Sequence, residues 1–141
     1  MANPIGDPDA VERLARLYRR EADRIDEMSA GAVQALVDTE WVGRRANETR
    51  ERVRSRHTEI VAQVDELRSL GRLLESHAQW MRATIRELQD LEHRITRWAA
   101  NNPPAPDRIG PDASLIGSFP PPYSLAWRDL AARLRGAGAV F

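Results

Sequence analysis

Between Ala46 and Ile95 apolar residues recur in steps of three and four, and no proline interrupts them. The register runs Ala46, Val53, His57, Ile60, Val64, Leu67, Gly71, Leu74, Ala78, Met81, Ile85, Leu88, Ile95. A period near 3.5 suits long helices wound about each other and is foreign to a strand, whose faces alternate every second residue. The chain is therefore committed to an all-α fold built on one helix from about residue 44 to 100. Its weakest point is Gly71, which costs roughly 1 kcal/mol against Ala and is where a kink would form.

A first helix precedes it, over about residues 9–39. Asp9-Ala10-Val11-Glu12 has the form of a capping box behind Pro8, and the residues before Asp7 form a short arm. Val11, Leu14, Tyr18, Ala22, Ile25, Met28, Ala32, Ala35 and Leu36 make the apolar stripe of this helix. Between the two helices lies Trp41-Val42-Gly43. Gly43 accepts the positive φ of a reversing chain, and Trp41 is large and flat enough to cover both helix ends. These features predict an antiparallel two-helix hairpin with a Trp-x-Gly turn, in which Trp41→Ala costs on the order of 3 kcal/mol.

The two lengths do not match. At about 1.5 Å per residue the first helix spans roughly 46 Å and the second roughly 85 Å. The overhang holds Trp80, Met81, Ile85, Leu88, Leu91, Ile95 and Trp98. So much apolar surface does not stay wet on a soluble monomer. Either the long helix breaks near Gly71 and folds back as a three-helix bundle, or a second chain covers the overhang. The unbroken register favours a partner. These seven residues are then the expected partner-binding surface, and a four-helix bundle completed by a dimer is the expected assembly.

Residues 101–123 hold seven of the nine prolines and are expected to be a flexible linker. Residues 124–141 are either a short helix, with Trp127, Leu130, Ala131 and Leu134 on one side, or a disordered tail, frayed after Arg135.

Composition narrows the function. The 21 basic residues are all Arg and balance 21 acidic ones, so no net charge points to nucleic acid or a membrane surface. The absence of Lys fits a GC-rich bacterial genome. Without Cys there is no disulfide framework, thiolate nucleophile or Cys-ligated metal. His57, His77 and His93 have no acidic or histidine neighbour at ligand spacing on the same face, and His57 falls in the apolar register. No phosphate loop, nucleophile–base pair or cofactor motif is legible, so no catalytic, cofactor or metal residue is assigned. Arg44, Arg45, Arg50, Arg52, Arg54 and Arg56 crowd one stretch, but Glu48 and Glu51 interleave and no aromatic offers base stacking. No apolar run reaches the length of a membrane span, and residues 1–9 lack the basic and apolar regions of a cleaved signal peptide.

A helical hairpin of about a hundred residues with Trp-x-Gly in its turn resembles the WXG superfamily, small proteins exported by type VII secretion systems. Gly6-Asp7-Pro8-Asp9-Ala10-Val11 followed by Trp41-Val42-Gly43-Arg44-Arg45-Ala46 is also similar to the N-terminal secretion-signal domain of actinobacterial type VII effectors. The match covers about residues 5–100. It implies a four-helix dimer with another WXG-like protein, an effector or a second copy, and recognition by the secretion machinery. It also implies no enzyme activity, no cofactor and no small-molecule substrate, with export from the cytoplasm without a cleaved signal peptide. Members usually carry Tyr-x-x-x-Asp/Glu after the second helix. Here Tyr123 is followed four residues on by Trp127, and Tyr18 by Ala22, so the partner would supply that motif. Effector-type members continue into a toxin domain, so a chain ending at Phe141 is expected to be a stand-alone partner or targeting factor, escorting such an effector. The reading from a different class is a cytoplasmic coiled-coil scaffold or regulator whose Arg-rich helix touches nucleic acid.

Overall fold

The computed structural model describes residues 3–39 and 41–141; Met1 and Ala2 of the expected arm, and Glu40 before the turn, lie outside them. Among the described residues all regular structure is helical: α1 (Pro8–Val37), α2 (Arg44–Asn101) and α3 (Ala126–Gly136), with a 3-10 turn at Ala113–Leu115. The chain divides into two compact units, Asp9–Ala78, and Met1–Pro8 with Gln79–Phe141.

In the first of these units α1 runs antiparallel to the N-terminal part of α2. Pro8 is the first helical residue, one earlier than the capping-box reading gives, and its fixed φ and missing N–H suit that position. At the other end Asp38 N–H still donates to the Gln34 carbonyl, and the Thr39 hydroxyl bonds back to the Ala35 carbonyl. Gly43 sits at φ +117°, open to Gly and costly for other residues, and its carbonyl takes a first α2 bond from Asn47 N–H.

The register of the pair is set by two contacts. Ser29 Oγ lies 2.7 Å from His57 Nδ1. A Cβ built on Gly71 would stand 3.4 Å from the Ala15 carbonyl oxygen and 3.3 Å from Arg19 Cγ. Residues equally far from Gly43 along the chain therefore face each other. The sealed positions are small or polar on α1 (Ala15, Ala22, Ser29) and mostly small on α2 (Ala46, Val64, Gly71, Ala78). The large residues beside them, Tyr18, Ile25, Leu67 and Leu74, are only half-buried, because two helices have no third layer to close over them. This corrects the α1 stripe: Leu14, Met28, Ala32 and Ala35 lie on the exposed side, and Ala15, Ser29 and Val33 take the inner positions. Gly71 does not break α2. It marks where the α1 backbone comes closest.

The second unit has a core of large side chains. Leu88, Leu91, Ile95 and Trp98 of α2 meet Ile116, Trp127, Leu130, Ala131, Leu134 and Ala139, with Ile5, Ala99 and Phe141 packed partly against them. Trp127 is 1% exposed, and its indole N–H donates to the Pro121 carbonyl at 2.9 Å while Phe119 tilts against it at 6.0 Å. Asn102 anchors the start of the linker, its side chain donating to the Trp98 carbonyl and its own carbonyl accepting from Ala113 N–H at 2.8 Å. Asp112 then caps the 3-10 turn by accepting from Ser114 N–H.

The linker expected to be flexible is thus pinned at both ends. Its prolines lose little backbone freedom on ordering, so a few bonds and one Trp suffice to fix it. The end expected to fray closes as a Schellman motif: Ala139 N–H bonds the Leu134 carbonyl, Gly138 N–H bonds the Arg135 carbonyl, and Gly138 supplies φ +99°.

Candidate functional site

The seven residues expected to bind a partner are placed differently by the structure. Met81, Leu88, Leu91, Ile95 and Trp98 are buried inside their own unit, with Leu88 and Ile95 at 0% exposure. Ile85 is half-buried and Trp80 is exposed. The expectation that this stripe needs a second chain is corrected. Neither a break at Gly71 nor a partner covers Leu88, Leu91, Ile95 and Trp98, because α3 and the linker do so in cis. The sequence carried the signal in the one-sided spacing of Trp127, Leu130, Ala131 and Leu134, which has the period of an amphipathic helix cut to fit another helix.

Apolar side chains are also left exposed on the α1–α2 pair, as Ile109, Phe119, Leu125 and Val140 are in the unit containing α3. Leu14, Leu17 and Met28 on α1 and Leu70 and Leu73 on α2 are exposed, Met28 and Leu73 to 66%. One flank of the pair is stitched by charge. Arg19 pairs with Glu75, and Arg68 reaches Asp23 at 3.1 Å and Asp26 at 3.5 Å. The Asp23 hydrogen bond, helped by Asp26, holds the Arg68 guanidinium more firmly protonated than usual, against a small desolvation effect. At about 100° per residue, Leu14, Leu17 and Met28 lie roughly 140–180° around α1 from Arg19, and Leu70 and Leu73 lie equally far around α2 from Glu75. One flank is therefore closed by ion pairs between the helices, and the other leaves these apolar side chains exposed beside Glu66 and the Glu21–Arg24 pair within α1.

Trp41 is 40% exposed beside the almost fully exposed Val42, and its carbonyl accepts from the Arg50 guanidinium. The residue is thus partly covered and partly free to meet another surface. The Arg-rich stretch behaves as a solvated face: Arg44 pairs with Glu48, Arg56 with Glu59, and Arg50 bonds the Asn47 side chain. His57 is held by Ser29 in the seam. Among the described residues no group of three or more His, Cys, Asp or Glu side chains could hold a metal, and no helix is long and apolar enough to cross a membrane.

No family model, curated protein or solved structure matches this chain.

Proposed function

We propose that this protein works by helix-on-helix pairing, as a substrate of type VII secretion or as a partner that escorts an effector into that route. The observation that carries the pairing is the open flank of Leu14, Leu17, Met28, Leu70 and Leu73, opposite a flank closed by ion pairs. A second helical pair seated there would bury the half-covered Tyr18, Ile25, Leu67 and Leu74 as well, completing a four-helix bundle. The secretion assignment is supported by the resemblance around Gly6-Asp7-Pro8 and Trp41-Val42-Gly43, and by the accessibility of Trp41 at the tip where a receptor would read it. In this reading the partner contributes the Tyr-x-x-x-Asp/Glu tail, the pair leaves the cytoplasm without a cleaved signal peptide, and the chain performs no catalysis.

The test is co-expression with the genes beside its own, followed by pull-down and an export assay. Met28→Glu with Leu73→Glu is expected to abolish pairing and export while leaving the melting curve of the isolated chain nearly unchanged, since both residues are 66% exposed. A wild-type chain that light scattering finds to be a compact monomer at micromolar concentration, with no partner recovered, would refute the pairing. A secreted yield undiminished by the double variant would refute its link to export.

A further inference from the structure

A groove of about 510 Å³ runs along the last turns of α2, lined by His93, Arg97, Trp98 and Asn101 on one side and by Val140 and Phe141 on the other. Trp98 and Phe141, tilted with centroids 6.4 Å apart, give it an aromatic surface, and the Arg135 guanidinium stacks 4.5 Å from the Phe141 ring. At one end Arg94 is neutralised by Asp90 at 2.9 Å. Arg97 has a different kind of partner: among the described residues it bonds His93 Nε2, at 2.6 Å. A guanidinium can only donate, so in this bond Nε2 is the acceptor. His93 orients Arg97 without cancelling its charge. The groove thus places Arg97, which among the described residues pairs with no carboxylate, beside Phe141 and the exposed edge of Trp98.

Its length separates a peptide from a small acid. From Asp90 to Asn101 the helix rises about 16 Å, the reach of about five extended residues. At the far end Asn101 is exposed, with an amide that can both donate to and accept from a peptide backbone. We propose that this groove binds a short acidic peptide segment, one apolar side chain resting on Phe141 beside the exposed edge of Trp98 and one carboxylate on Arg97. The site lies wholly in the unit containing α3 and does not rest on the pairing proposed above.

The test is a titration of the full ¹⁵N-labelled chain with acetyl-Glu-Phe-Asp-amide, with acetyl-Gln-Phe-Asn-amide and with 3-phenylpropionate. The Trp98 indole signal is expected to move with the acidic peptide, while that of Trp127, tied to Pro121, stays in place. The neutral peptide and the free acid are each expected to bind at least about tenfold more weakly, as is the acidic peptide to Arg97→Gln, because each loses a charge-assisted bond or the backbone contacts. Arg97 is exposed, so an unchanged Trp127 signal will show that the variant is folded. No Trp98 shift up to about 10 mM peptide, the weak limit of specific binding, would overturn the proposal. So would equal binding by Arg97→Gln or by the neutral peptide, and equal binding of phenylpropionate would assign the groove to free acids instead.

Discussion

Trp127→Ala removes the largest sealed side chain of the α3 unit, and its cost can be worked out. A buried Trp hides about 150–250 Å², which at about 25 cal/mol per Å² is roughly 4–6 kcal/mol. Large aromatic truncations cost about 3–5 kcal/mol once the neighbours relax, so about 4 kcal/mol is expected. The lost indole bond adds little, because Pro121 is exposed and its carbonyl can turn to water. For a cooperative transition of 141 residues, an unfolding entropy of about 2.1 cal/mol/K per residue gives roughly 0.3 kcal/mol per degree. The Tm should therefore fall by about 13 °C. Calorimetry reads that shift, and trypsin reads its cause, since undocking α3 opens Arg128, Arg133 and Arg135 to cleavage. A Tm within about 3 °C of wild type, with α3 still protected, would refute the argument that this helix and its Pro-rich strap seal the end of α2.

Trp41→Ala should cost about 2 kcal/mol, less than a sealed Trp, because the residue is 40% exposed and the rest of it is covered; an unchanged Tm would mean that the covered part contributes nothing to the fold. Gly71→Leu should destabilise by about 2 kcal/mol despite a better helix propensity, since the new side chain would enter the space held by Arg19 Cγ and the Ala15 carbonyl. A raised Tm for that variant would mean the seam is not close there. Glu87 accepts two bonds from Arg128, at 3.0 and 2.6 Å, and that guanidinium holds its carboxyl below the usual value of 4.5 against weak desolvation. A depressed carboxyl stabilises the fold above its unfolded value and loses that effect as pH falls through the folded one. Glu87→Gln should thus cost at most about 0.5 kcal/mol at pH 7, both side chains being about half exposed. The gap to wild type should close as the solution is acidified below 4.5, and a gap that persists there would exclude the ion pair as its source.

What the sequence made legible was whatever is local. The three-four register of α2 is repeated so often that its length and continuity could be read directly, and all thirteen positions of that register are buried or half-buried. The seam of the first unit was read one position off. Hydropathy selects Leu14 and Met28, whereas a close pair of helices selects Ala15 and Ser29, because only small side chains let the backbones approach. The tail was the larger miss. Pro-rich composition reads as disorder when scored by its few apolar residues, but Trp127 and the fixed φ of its prolines need only one neighbouring apolar face to order them. That face was the same Leu88–Trp98 stripe which, with the tail discounted, looked as if it needed another chain. Candidate sites depend on what remains uncovered, so one misread segment moved the candidate surface to the other unit.

The contacts that set the α1–α2 register lie far from the connection between the helices. Ser29 meets His57, and Ala15 meets Gly71, whatever residues 38–43 do. A slip of one helical turn would part Ser29 from His57 and leave half-buried polar atoms unpaired, so the seam itself resists sliding. Doubling a connection of this length costs only about 0.6 kcal/mol in closure entropy. Insertions at the tip should therefore be tolerated, as should an epitope or a fluorophore placed beside Val42. The tip can be lengthened at little consequence for the helices behind, provided that Gly43 keeps its positive φ.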